Sequence, residues 1–391
     1  MRIDISVLTV RDDDRDGGSS DNIIETAGGD LYKFVSEFDN DLYWIKSTNG
    51  GLSWSVPVSV IAGTITGVSC WYDRWTPGDA GNLIHIAVID QVSNDIIYDS
   101  LNTSNDTLSG NVQVFNGVSL AGGSSSCVSI TKAVGGNLYI AFDGDGGTET
   151  GLYRSTDGGA TWASRSSPVE TATTDYFSLF PGNESDNQDI LIFYWDRSAD
   201  EISLKIYDDS ANTVSETSIA TSMVDVAHST VCSQFSGSVR LSDGLLFITA
   251  WSNRDTATAK LRAWSIGAAA DITELTNVVS SSGDDQQACA LSIDQDENIY
   301  VYYMGKSDGS ETVGTSVGIY CKKSTNAGAT WGSETQISEN NRNYSYLKSS
   351  PLLYGNHKVI YAVTTQNTAI HNLYISKTIV RQSVFMNGGF S

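Results

Sequence analysis

Leu138-Tyr-Ile-Ala-Phe142, a polar loop, Gly151-Leu-Tyr-Arg154 and then Ser155-Thr-Asp-Gly-Gly-Ala-Thr-Trp162 decide the fold of this chain. Short apolar runs rich in aromatic and β-branched residues, separated by Gly and Asp, read as strands joined by tight turns. The turn segment has its own logic: the Asp caps backbone N–H groups, the glycines take φ > 0, and the Trp packs back on the sheet. Cys127-Val-Ser-Ile-Thr131 supplies a strand before the first run, and a weaker strand follows the turn, so the unit is a four-stranded antiparallel sheet.

The unit recurs along the whole chain. Its second strand reappears at Leu31, Leu83, Leu138, Ile190, Leu245, Ile299 and Val359, at intervals of 52, 55, 52, 55, 54 and 60 residues. Its third strand recurs at Asp41, Asp95, Gly151, Glu201, Lys260, Gly318 and Asn372. A sheet of this size cannot bury both faces alone, and stacking the copies in a ring does so while leaving only short edges. The prediction is an all-β, single-domain, seven-bladed propeller with blades at about 21–60, 67–115, 124–169, 175–219, 233–278, 286–338 and 343–380, and a tail over 381–391. The last repeat stops after its third strand, so residues 1–10 are expected to supply the fourth and close the ring.

Asp and Glu number 46 against 23 Lys and Arg, a net charge of -23 that opposes binding to nucleic acid or anionic membranes. No apolar run is long enough to cross a membrane as a helix, so no membrane insertion is expected. The first ten residues alternate as a strand does and lack the features of a secretory signal, which predicts a cytoplasmically made protein. Cys70, Cys127, Cys232, Cys289 and Cys321 are widely spaced and read as buried thiols.

The turn segment also stands at Ser47-Thr-Asn-Gly-Gly-Leu-Ser-Trp54 and Ser324-Thr-Asn-Ala-Gly-Ala-Thr-Trp331. The three copies resemble the Asp box, or BNR repeat, of sialidase-like propellers, in which the box is a structural turn on the periphery. That resemblance gives Asn49, Trp54, Asp157, Trp162, Asn326 and Trp331 structural roles and leaves a six-bladed ring of sialidase type as the alternative architecture. Arg342-Asn-Tyr-Ser-Tyr-Leu347 resembles the segment carrying the sialidase nucleophile, which would make Tyr344 the nucleophile beside Arg342, with Asp39 or Asp41 as the acid. The Arg of the family's first-blade R-I-P segment is missing, so the clamp of three arginines that a sialidase closes on its substrate carboxylate is incomplete.

Other candidates come from loops. Arg74, Trp75, Trp195, Arg197, Trp251 and Arg254 combine guanidinium groups with flat aromatic faces and form the expected ligand-binding set. Asp143 and Asp145, in a Gly-rich loop, offer hard oxygen ligands for calcium; no other cofactor is expected, and the four histidines show no ligand spacing. The expected function is non-catalytic: a recognition or scaffold propeller that binds a glycan or protein, carried on a bacteriophage virion as a capsid decoration or tail-associated protein. The rival is an exo-acting glycoside hydrolase of sialidase type.

Overall fold

A computed structural model describes residues 2–4, 23–36, 41–118, 127–144, 149–169, 176–183, 187–196, 199, 201–221, 235–252, 259–268, 271–282, 289–308, 310–311, 318–338, 344–355, 357–364 and 370–377. Among these, the strands form seven sheets, each built around a four-strand antiparallel meander. The fold is a β-propeller. In the third sheet the strands are Cys127–Lys132, Leu138–Asp143, Thr150–Ser155 and Ala163–Arg165, and the other blades repeat this order, here called A to D from the channel outward.

The two chain ends meet in blade 7. Its first three strands are Tyr344–Ser349, His357–Thr364 and Ile370–Lys377, and its fourth is Arg2–Asp4. The register sets Arg2 opposite Tyr374, Ile3 opposite Leu373 and Asp4 opposite Asn372. The expected closing strand is thus found at residues 2–4, within the span 1–10 that the sequence suggested.

Neighbouring blades are joined at the channel by a device that residue patterning did not announce. The Ile130 N–H donates to Ser69 Oγ (3.1 Å), the Leu179 N–H to Ser129 Oγ (3.0 Å), the Leu291 N–H to Ser236 Oγ (3.0 Å) and the Glu25 N–H to Ser350 Oγ (3.1 Å). Each bond runs from one blade's innermost strand to the next, across junctions 2–3, 3–4, 5–6 and 7–1. Inner-strand N–H groups face no further strand of their own sheet, and a serine hydroxyl next door satisfies them at little steric cost.

The three box turns are built alike. In each, the Ser hydroxyl donates to the Asn or Asp and accepts a Gly N–H, as at Ser155, where Oγ donates to Asp157 Oδ1 (2.8 Å) and accepts from the Gly159 N–H (2.8 Å). Asp157 in turn accepts the Thr161 N–H (2.9 Å) and hydroxyl (2.6 Å), and these bonds hold its carboxyl down at about 2. Asn49 and Asn326 likewise accept the Ser53 and Thr330 N–H groups, but donate their side-chain amides to the Ser53 and Thr330 hydroxyls. The paired turn positions take positive φ at Gly50 and Gly51, at Gly158 and Gly159, and at Ala327 and Gly328.

These turns also join blades. Trp162 lies against Tyr98 of blade 2, ring centres 5.2 Å apart. Trp331 Nε1 donates to the Thr276 carbonyl of blade 5 (2.7 Å). Trp54 has a buried indole nitrogen in the first box. Behind Tyr98, His85 bridges inward, with Nδ1 2.8 Å from the Tyr98 hydroxyl and Nε2 2.9 Å from Asp73. Burial opposes ionisation of Asp73, but bonds from His85 and from Lys132 of blade 3 prevail and bring it to about 2.

Candidate functional site

Antiparallel strand order divides the ring into two ends: one carries the A–B and C–D turns, the other the B–C loops and the D–A connections. Several of the described site residues share the second end: Asp41 precedes the third strand of blade 1, Asp143 ends the second strand of blade 3, Trp195 and Trp251 stand near the ends of the second strands of blades 4 and 5, and Tyr344 opens the inner strand of blade 7 opposite Thr364. Arg74 and Trp75 do not join them. They lie in the short helical turn Asp73–Trp75 after the inner strand of blade 2, at the A–B end.

Where side chains are described, these residues are occupied by the fold. Asp41 accepts the Gly63 N–H (2.8 Å), and Asp90 accepts the next one, that of Thr64 (2.9 Å). Two rim carboxylates therefore cap consecutive N–H groups where blade 1 passes to blade 2. Burial would raise the Asp90 carboxyl, but Ser93 and backbone donors hold it below its ordinary value. Arg74 donates to the Gly81 carbonyl (3.1 Å) and to Asn82 (3.3 Å). Trp75, Trp195 and Trp251 are 2–3% exposed and stack edge-on or tilted against Trp71, Tyr176 and Tyr303; Trp195 also reaches the next blade at Phe235, as Trp251 does at Tyr303, and none of the three offers a face to solvent. Asp143 is fully buried at the end of its strand. No group of three or more His, Cys, Asp or Glu positioned to hold a metal occurs among the described residues. Asp39, Asp145, Arg197, Arg254 and Arg342 lie outside the described residues, as does the Tyr344 side chain.

The A–B end holds what the sequence reading missed. In blade 7 the chain between strands A and B does not make a tight turn; Pro351 to Gly355 crosses the channel mouth as a strap. Leu352–Leu353 pairs in parallel with the inner strand of blade 6. The Pro351 carbonyl accepts from Ser238 of blade 5 (2.8 Å) and from the Ile293 N–H of blade 6 (2.8 Å). Glu25 of blade 1 accepts the Tyr354 and Gly355 N–H groups (3.0 Å each), and the Tyr354 hydroxyl donates to the Arg74 carbonyl of blade 2 (2.8 Å). Burial pushes the Glu25 carboxyl up to about 7 against those two donors. The space left between the inner strands, lined by Ser69, Ser129, Trp75 and Leu352, has room for on the order of one water molecule. One signal was present in the sequence: Pro-Leu-Leu-Tyr stands where other blades carry turn residues such as Ala-Gly-Gly-Asp30 and Val-Gly-Gly-Asn137.

Solved structures share this architecture. An ulvan lyase of polysaccharide lyase family PL25 superposes with a TM-score of 0.56 at 12% identity, covering 92% of this chain and 92% of its own. AofleA from Arthrobotrys oligospora reaches 0.48 at 11% identity over 82% of this chain and 88% of its own. A mutant NanB sialidase from Streptococcus pneumoniae gives 0.48 at 10% identity, over 96% of this chain and 70% of its own. No protein-family model and no curated protein matches the sequence.

Proposed function

We propose that this chain is a recognition propeller that holds a glycan or a protein partner on the rim formed by its B–C loops and D–A connections. The observation that carries this reading is the commitment of the ring's interior to its own cohesion. The strap closes the channel mouth, Trp75, Trp195 and Trp251 are buried in the interior, and Arg74 is bonded to its own turn. What such a ring offers a partner is a set of loops carried on a stable scaffold, the usual place for binding. The ulvan lyase of the same architecture is also known bound to a saccharide, which supports a glycan as one class of partner. Cys70, Cys127, Cys289 and Cys321 are buried and in no disulfide, which fits assembly in a reducing cytosol, the setting in which a virion-borne protein released by lysis would be made.

The test is a glycan array with the purified protein, run beside turnover assays on an aryl-sialoside and a uronate polysaccharide, and sedimentation with phage particles. Saturable glycan binding or co-sedimentation, without turnover, is expected. Turnover of the sialoside that disappears in Tyr344→Phe, or cleavage of the polysaccharide, would overturn the reading in favour of an enzyme.

A further inference from the structure

Beside the strap, at the A–B end and so opposite the rim, three consecutive turns enclose an open pocket of about 320 Å³, at the lower edge of the ~300–1,000 Å³ span of small-molecule sites. Blade 5 contributes Arg240, Leu241 and Ser242; blade 6 contributes Ile293 to Gln295 and Glu297; blade 7 contributes the strap itself. We propose that this pocket binds a neutral sugar unit, independently of whatever the rim holds.

The charge of the walls argues for a neutral ligand. Arg240 already gives two bonds to Asp243 (3.0 and 2.6 Å) and has Glu297 at 4.0 Å, so its positive charge is spent before any anion arrives. Asp294 and Glu297 outnumber it in the lining and would repel an anionic group. A cation finds no free carboxylate in Asp294, which accepts the Asp296 and Asn298 N–H groups, the Asn298 amide and the Tyr300 hydroxyl.

The surfaces left over suit a ligand with one apolar face and a hydroxylated edge. Ile293, Leu352 and Leu353 form a buried apolar floor. Leu241, 38% exposed, adds an apolar residue to the lining that packing within the protein does not demand. Gln295 and Ser242, both exposed, supply neutral groups able to donate and accept. Apolar floors with a few polar groups at the edge are the general form of small-ligand sites.

The site is also rigid. Its floor is pinned by the parallel pairing of Leu352 and Leu353 with Ile293 and Asp294, and Glu297 is fixed in a left-handed turn at φ 61°. A preformed wall costs less to order on binding.

The methyl glycosides of glucose, galactose, mannose and fucose, titrated into the full chain by calorimetry and saturation-transfer NMR, test the proposal. At least one should bind saturably, and Gln295→Ala and Leu241→Asp should each weaken it by about fivefold or more, the loss of one hydrogen bond or one apolar contact. The denaturation midpoint of both variants, whose changes are on the surface, should match the parent. The proposal is overturned if none of the four glycosides binds, if binding is unchanged in both variants, or if methyl glucuronide binds more tightly than methyl glucoside.

Discussion

Glu25→Ala is expected to destabilise the ring by about 3 kcal/mol or more, read as a fall in the denaturation midpoint. The substitution strips the acceptor from two part-buried backbone N–H groups, those of Tyr354 and Gly355, which the fully buried Glu25 side chain satisfies, and each orphaned donor costs about 1–3 kcal/mol. Glu25→Gln retains the shape and one acceptor oxygen and should cost less. The pair also isolates a pH effect. With its carboxyl raised from 4.5 to about 7 in the folded protein, Glu25 contributes stability that is fully present below pH 4.5 and is lost as pH rises through 7. The span corresponds to about 3 kcal/mol. The parent should therefore be more stable at pH 5 than at pH 8, and Glu25→Gln should remove that slope. Asp73, Asp157 and Asp308, all held at about 2, act in the opposite sense and outside this window: their contribution is present above 3.8 and lost only as pH falls toward 2.

Gly159→Ala should be the most damaging change in any box turn, and Gly136→Ala supplies its control. Both glycines hold nearly the same backbone, φ 97° and 98°, so both substitutions incur the strain of a left-handed L-residue, about 1–2 kcal/mol. Around Gly136 an added methyl group meets nothing within 4 Å, whereas at Gly159 it would stand 2.1 Å from the Tyr98 ring of blade 2. Relieving that overlap moves Tyr98 off His85 and off Trp162 together, at a further cost of about 1–3 kcal/mol. The difference between the two variants in chemical denaturation measures the packing that joins blades 2 and 3. Equal losses would mean that the box turn does not lock onto its neighbour.

The sequence made much of the ring legible because its repeat is carried by patterns with a direct physical meaning. Apolar runs at a constant interval, with Gly, Asn and Asp in the turns, admit few other structures, and Ser155 to Trp162 fixes one hairpin almost atom by atom. The candidate site was less legible for two reasons. Distance along the chain does not say which end of a blade a loop occupies: Arg74 and Trp75 follow an A strand, so they lie across the ring from Trp195 and Trp251. An aromatic residue also reads the same in a sequence whether it lines a surface or packs in the interior, and Trp75, Trp195 and Trp251 are buried. The strap escaped notice because three apolar residues after Pro351 look like the start of a strand, and only the contacts of Pro351 and Tyr354 with blades 1, 2, 5 and 6 reveal a closure.

The assignment of the molecule's two ends depends on the ring being closed by its own N-terminus. The most direct measurement is a cross-link between directly opposed positions of the closing pair, Ile3→Cys with Leu373→Cys, mapped by peptide mass spectrometry after mild oxidation. A disulfide linking residue 3 to residue 373 within one chain, with a raised denaturation midpoint that returns to the parent value on reduction, is the predicted result. Recovery of the thiol at position 3 unlinked, or linked to another part of the chain or to a second molecule, would contradict the closed ring.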